Sequence, residues 1–490
     1  MSIVKKIIFP RAFAFAVDDL GWNEGRNMLY DSPPGPYRVG IKRNFTLEDY
    51  QFMIKVAETV GVRVQCLFIL SEMDRENVLA QYPTTTHMKS KWDNSHRVCK
   101  EQIEIMKYVV DQSAYMEFGL HGTGHEFWAD DGVQRRAEWY NMQDRYPWPE
   151  EELRKHIEAF TRIMNQYGLS KSNGHSFPET FVPCAYSYYW NPSGDYSLGK
   201  LMWEYGAKYA NTDFSQIPEL SPPQEVNGGG FDHGVHVINR MNFGNLWHEL
   251  NTVPKVTIDL QGTDIVESHW ANWLAQDAFL QSEATTRWID YYNCIQRVDN
   301  RYIAKNTEQL HSQWLYRKHT IIKEVSPGKV EIDNSVMPSD AFHRDLLGNL
   351  VLKIERNDDE LLGKATLNGL SIPAILNFEQ YTFLYLPPLK AQKYTLEFEL
   401  GAIEMNDYVL NDGTYNVYSA SRRNEEFDIE LKVYGTQTVK VKCESCTQVD
   451  SRTRGLHIDG FNYDTGMRMA LIRITASDFQ GSRGTIRLKA

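Results

Sequence analysis

Two histidines and two aspartates are the residues to start from. His121 and His125 stand four residues apart in His121-Gly122-Thr123-Gly124-His125-Glu126. Two imidazoles at that spacing can converge on one cation. The intervening glycines disfavour a helix interior, and Met116–Leu120 alternates as a strand end does. The pair is therefore expected in a loop at the carboxyl end of a parallel strand, where α/β folds keep their chemistry. Gly122 stands where a metalloprotease HExxH would carry its glutamate, so that motif is excluded. Two surface loop histidines would look the same in sequence.

A second group follows the apolar run Phe13–Val17, which ends in Asp18-Asp19-Leu20-Gly21. Adjacent carboxylates at the end of a core strand are costly unless compensated. One could bind a metal and the other act as base; a simple turn is the competing reading, because Asp and Gly favour turns. A later strand, Ile265–Ser268, delivers His269. Collected, Asp18, Asp19, His121, His125 and His269 supply two imidazoles and a carboxylate for a metal with open positions, a second carboxylate and a further imidazole. A bound divalent ion lowers the pKa of its water from about 15.7 towards ~7, the carboxylate takes the water's proton, and the histidine protonates a leaving group. Amide hydrolysis needs that division, because an amine leaves badly unless protonated.

The elements that must position these groups are legible in outline. Thr46-Leu47-Glu48-Asp49 resembles a capping box before the apolar stripe Tyr50, Met53, Ile54 and Ala57, and Gly61 stops the helix. Val62–Leu70 reads as a buried strand, residues 71–96 as a polar surface excursion, and 97–112 as a second helix. The order βαβαβ predicts a parallel α/β sheet or barrel. Pro149, Glu150, Glu151 and Glu152 start a third helix. The aromatics at 127–148, Trp128 among them, are either a sugar-stacking rim or a packed lid. Phe177–Pro183 is extended and leads into a loop holding Tyr186. Leu198–Tyr205 reads as a helix, and Ala207–Asn211 as a strand ending near Asp213. Residues 215–250 read as loop-rich, with no role assigned to His233, His236 or His248. Lys255–Leu260 reads as a further strand, and two helical stretches follow His269-Trp270. Past residue 318 the runs Thr320–Val325, Leu350–Ile354 and Tyr394–Leu400 alternate at period two between Gly, Pro, Asn and Asp, which predicts an all-β, sandwich-like region. The chain is thus divided at 1–318 and 319–490, with chemistry in the first part.

Length fits two domains. A net charge of -12 without a basic block argues against nucleic acid or an anionic membrane as partner, and no apolar run is long enough to span a bilayer. Met1–Lys6 is followed by Pro10 and Arg11 and is read as leading into a core strand rather than as a signal peptide. As it stands the chain reads as cytoplasmic, or as secreted if a leader has been removed. Cys66, Cys99, Cys184 and Cys294 are expected to be core thiols. Cys443-Glu444-Ser445-Cys446 is a lone CxxC, a local disulfide or two solvent-side thiols rather than a zinc ribbon.

The order of these motifs resembles the polysaccharide deacetylase superfamily (NodB homology, carbohydrate esterase family 4-like) over roughly residues 10–310. Val17-Asp18-Asp19-Leu20-Gly21 resembles its first motif, with a Leu inserted before the Gly; His121-x-x-x-His125 matches the second; Glu267-Ser268-His269 matches the last by its His. Phe181-Val182-Pro183-Cys184 stands at the third motif without its Arg, so what orients Asp18 is left open. The resemblance implies a distorted (β/α)7-type barrel, followed here by the C-terminal all-β domain, which would be an accessory and perhaps carbohydrate-binding module by analogy. It implies Asp18 as base, His269 as acid, and Asp19, His121 and His125 as ligands of one divalent metal ion, Zn2+ first, with Co2+, Ni2+, Mn2+ or Fe2+ as alternatives. Trp128, Tyr186, Asp213 (a counterpart of a later acidic motif) and Trp270 are the candidate substrate-binding residues. The expected activity is removal of an N-acetyl group from an N-acetylhexosamine-containing glycan. A glycoside hydrolase on a related barrel and a non-catalytic glycan-binding protein are the alternatives.

Overall fold

The computed structural model describes residues 7–28, 35–36, 38–129, 134–135, 137–191, 196–216, 223–242, 244–255, 263–357 and 359–490. Contacts divide the chain into two compact units, one of Ala14–Val60 and Val64–Ile295, the other of Met1–Phe13, Gly61–Arg63 and Gln296–Ala490.

The first unit is built on β1 (Arg11–Leu20), β2 (Val64–Ile69), β3 (Met116–Gly122), β4 (Thr180–Phe181), β5 (Tyr209–Thr212), β6 (Gly229–Asp232), β7 (Val235–Asn239) and β8 (Ile265–His269). They form one sheet in the order β8-β1-β2-β3-β4-β5-β7-β6. Every neighbouring pair from β8 to β7 is parallel, and β6 pairs antiparallel with β7. Parallel strands are covered on both faces and so read as continuous apolar runs; β2 and β3 are buried at every residue. Beyond β7, Met241 makes one parallel bridge to Val266 of β8.

Helices follow the strands: α1 (Leu47–Val60), α2 (Lys100–Asp111), α3 (Glu150–Gln166), α4 (Leu198–Tyr205) and α5 (Gln281–Gln296). At the start of α1 the Asp49 carboxylate accepts the Thr46 backbone N–H at 2.9 Å, and at its end Gly61 turns left-handed at φ +73°, the usual stop. Phe15 of β1 packs edge-on to Trp273, Trp288 and Tyr292, a cluster that α5 closes over the sheet.

Two stretches differ from their sequence reading. Residues 71–96 are not a surface excursion: they fold into short 3-10 turns that bury Glu72, Asp74, Trp92 and Asn94. Their polar side chains replace ladder bonds, with Asn94 Nδ2 donating to the Glu72 and Asp74 carbonyls. Within 215–250, β6 and β7 are regular strands. The short run Val235-His236-Val237-Ile238, broken by His236, conceals a buried strand. The expected strand at Lys255–Leu260 lies, beyond Lys255, outside the described residues. Cys99 and Cys294 are exposed rather than core thiols, while Cys443 and Cys446 are buried and free.

The second unit is mainly antiparallel sheet. Its largest sheet runs Ile7–Ile8, Leu350–Glu355, Tyr381–Leu386, Ala374–Asn377, Tyr408–Leu410, Thr436–Lys442, Met469–Ala476 and Leu456–Asp464. Its helix α6 (Thr307–His319) is polar yet buried from Thr307 to Tyr316. Burial of amides requires partners: Gln313 Nε2 donates to the Pro10 and Val351 carbonyls, and Gln309 Nε2 to Asn416 Oδ1. Among the described residues no helix is long and apolar enough to cross a membrane.

Candidate active site

The two aspartates lie inside the end of β1, at a β-bulge. Val17 pairs with Cys66 and Leu20 with Phe68, so β1 carries one residue more than β2 between those points. Successive side chains of a regular strand point to opposite faces; a bulge re-aims one of them. Asp19 takes the left-handed conformation at φ 72°, and Asp18 and Asp19 both line one cavity. Gly21, at φ +96°, has no room for a side chain, because a Cβ there would stand 2.2 Å from the Ile69 carbonyl oxygen.

His121 is the penultimate residue of β3 and His125 follows in its loop, at a second left-handed position, φ 72°. His121 Nδ1 donates to the Val182 carbonyl at 2.8 Å, which leaves Nε2 with its lone pair towards the aspartates. Asp19 Oδ1 lies 3.5 Å from His121 Nε2 and 3.8 Å from His125 Nε2, and it is buried without a hydrogen-bond partner. Glu126 Oε1 backs His125 Nδ1 at 3.3 Å.

Asp18 is held by Arg240, the residue after β7. Its Nη1 and Nη2 donate to Asp18 Oδ1 and Oδ2 at 2.8 and 2.6 Å, with both side chains buried. Its Nε lies 3.4 Å from Glu267 Oε2. Glu267 Oε1 accepts the Tyr186 hydroxyl at 2.7 Å and lies 3.6 Å from His269 Nε2. His269 sits in register with Asp18 across the β8–β1 pair. Burial raises the Asp18 carboxyl, but Arg240 and His121 outweigh it and hold it below the usual carboxylate range. Burial likewise raises Asp19, and the His121 and His125 imidazoles pull it well below that range. Burial lowers His121, yet Asp18 and Asp19 hold it above its ordinary value. Acids that draw a proton onto His121 would equally hold a cation between the same side chains.

The cavity is walled by Trp22, Arg38, Ala185, Tyr186, Trp247 and six of the charged or imidazole groups above, Asp18, Asp19, His121, His125, Arg240 and His269. Of the four sequence candidates for substrate contact, only Tyr186 lines it. Trp128 faces a neighbouring, smaller cavity with His87 and Trp92. Asp213 is spent on its own turn, accepting from the Ser215 N–H and hydroxyl. Trp270 is fully buried against Tyr50 and Phe45. Apart from Tyr146, which is exposed, the aromatics at 127–148 are packed rather than displayed: Phe127 stacks on Trp148 at 3.8 Å, and the Trp139 indole N–H donates to the His121 carbonyl. Arg240, Glu267, Trp22 and Trp247 escaped the sequence reading. The Arg240 signal is a lone cation two residues past the run Val235–Ile238, which is short and broken by His236.

Two donor sets share the histidine pair. His121, His125 and Cys184 offer donor atoms within 4.8 Å of one another, and this buried group could hold a metal ion. Asp19 Oδ1 offers the other. Burial and the surrounding acids push the Cys184 thiol well up, and it donates to the His121 carbonyl at 3.2 Å. Asp19 is ionised and its Oδ1 lacks a partner. Donors around a tetrahedral ion with bonds of about 2.1 Å stand about 3.4 Å apart, and Asp19 Oδ1 lies 3.5 and 3.8 Å from the two imidazole nitrogens. Comparison with protein-family models, with curated proteins and with solved structures finds no match.

Proposed function

We propose that this chain is a metal-dependent amide hydrolase that removes the N-acetyl group of an N-acetylhexosamine-containing glycan. The observation that carries the reading is the division of the two adjacent carboxylates. Asp18 is gripped at both oxygens by Arg240, and Asp19 lies between two imidazole nitrogens with a buried oxygen left unsatisfied. One is equipped to handle a proton and the other to hold a cation. The architecture fits the proposal: six parallel pairs and the Met241–Val266 bridge are read as a distorted (β/α)7-type barrel with this site at the carboxyl ends of its strands.

Asp19, His121 and His125 would hold the metal, for which mixed nitrogen and oxygen donors suit Zn2+ or a neighbouring divalent ion. When bound, such an ion supplies Lewis acidity and a water that ionises near neutral pH. Asp18, fixed as a carboxylate by Arg240, accepts a proton from the attacking water. His269, beside Asp18 in the sheet and backed by Glu267, donates a proton to the departing amine. Glu267 also holds the Tyr186 hydroxyl, which fixes one wall of the cavity. Trp22, Tyr186 and Trp247 offer aromatic surface for a sugar ring.

The test is acetate release from N-acetylhexosamine oligosaccharides, with and without a chelator, with metal content measured on the same sample. Chelator-sensitive release at about one metal per chain is the result expected from three convergent ligands. Glycosidic cleavage that ignores the chelator, or a chain that takes up no metal, would overturn the reading.

A further inference from the structure

The metal-ligand loop is held from behind by a carboxylate. Glu138 is fully buried, thirteen residues past His125. Its Oε1 accepts the Thr123 N–H at 2.9 Å, and its Oε2 accepts those of Gly124 and His125 at 3.1 and 2.8 Å. Three consecutive backbone donors thus converge on one side chain. His156 of α3, also fully buried, donates from Nδ1 to Glu138 Oε1 at 2.8 Å, and its Nε2 meets Thr84 Oγ1 at 3.0 Å. The same loop is tied by the Thr123 hydroxyl, which donates to the His156 carbonyl at 2.6 Å.

The glycines of the His-Gly-Thr-Gly-His run belong to this arrangement. A Cβ on Gly122 would stand 2.2 Å from Glu138 Oε2, and one on Gly124 would stand 2.1 Å from the Thr85 carbonyl oxygen. His125 meanwhile sits at φ 72°, a conformation that is strained for a non-glycine residue and persists only where the surroundings over-determine it. Glu138 supplies that determination, because its Oε2 accepts the N–H of the strained residue itself.

We infer that Glu138, oriented by His156, is the positioning residue of the metal centre: it holds the His125 loop in its left-handed, ligand-ready conformation before any ion arrives. The inference rests on the metal-site reading given above. In its absence the loop relaxes, the His125 imidazole leaves its place beside Asp19, and the ordering cost falls on metal binding instead.

The experiment measures Zn2+ and Co2+ dissociation constants by chelator competition, together with the absorption spectrum of the cobalt-loaded chain. Wild type is compared with Glu138→Gln, His156→Gln and Asp232→Asn. Asp232 is the control, a buried carboxylate that accepts the Gly199 N–H and the Ser197 and Tyr188 hydroxyls away from the site. Glu138→Gln is expected to weaken both metals about 10–100-fold, the usual effect of removing an outer-shell partner, and to change the cobalt spectrum. His156→Gln, which keeps the carboxylate, moves in the same direction by less and serves if Glu138→Gln does not fold. Asp232→Asn loses stability but keeps wild-type affinity. Wild-type affinity and spectrum in both loop variants, or an equal loss in Asp232→Asn, would overturn the inference. A wild-type chain that binds neither metal overturns the metal-site reading itself, a failure seen before any substitution is made.

Discussion

At the scale of single residues, the site separates two chemically identical side chains by their partners. Asp18 and Asp19 are neighbours, yet one faces a guanidinium and the other two imidazoles. Asp18→Asn is therefore expected to retain metal while turnover falls by about 10²–10⁴-fold, the range for losing a general base; metal content and acetate release on one preparation check it. His121→Ala should lose both metal and turnover, and full activity in that variant would end the proposed mechanism. Arg240 grips both oxygens of Asp18 from a buried position. Removing one partner of a buried pair strands the other charge, at a cost of about 3–5 kcal/mol. Arg240→Met should show that loss in urea unfolding. Arg240→Lys should recover little of it, since a point charge cannot grip both oxygens of Asp18.

At the scale of elements, the bulge in β1 and the glycine after it set where the carboxylates point. Gly21 combines a left-handed backbone with a 2.2 Å approach to the Ile69 carbonyl oxygen. Both a side chain's strain and its clash fall on one residue, so Gly21→Ala should destabilise the chain by about 3 kcal/mol and weaken metal binding with it. A stable Gly21→Ala with unchanged metal affinity would show that the bulge does not govern the site. Leu20, between Asp19 and Gly21, belongs to the same feature: it resumes the pairing with Phe68 that Asp18 and Asp19 interrupt, and its side chain is buried.

At the scale of the whole molecule, ligand and proton both report on folding. A metal that binds only the folded chain stabilises it by about 2.7 kcal/mol when present at about 100 times its Kd, so a chelator should lower Tm and added Zn2+ restore it. Acid sensitivity has a separate source in the second unit. His311 is fully buried in α6, and burial pushes its imidazole from 6.5 down to about 3. The unfolded chain takes up that proton near 6.5, whereas the folded chain resists it until about 3. Stability is thus lost as pH falls through that window, on the order of 1 kcal/mol per pH unit for this group. His311→Gln should flatten the Tm–pH curve between pH 6.5 and 4.5 relative to wild type; parallel curves would assign the acid sensitivity elsewhere.

What the sequence by itself determined was whatever is local. The strand ending at His121, the helix starting after Pro149 and the two glycines between the histidines are written in periodicity and in backbone preference. So is the coincidence of Asp18, Asp19, His121, His125 and His269 at predicted strand ends, which made one site of five scattered residues. What only the tertiary structure decided is long-range pairing. Arg240 reaches Asp18 across 222 positions of sequence, and no local pattern marks an arginine as the partner of a particular aspartate. Glu138 cradles a loop it follows in the chain, and its neighbours in sequence give no hint that three backbone N–H groups await it. Trp128, Asp213 and Trp270 show the converse. Their types suit a binding wall, but whether an indole lines a cavity or fills a core depends on which neighbours cover it, and that is settled only once the strands are side by side.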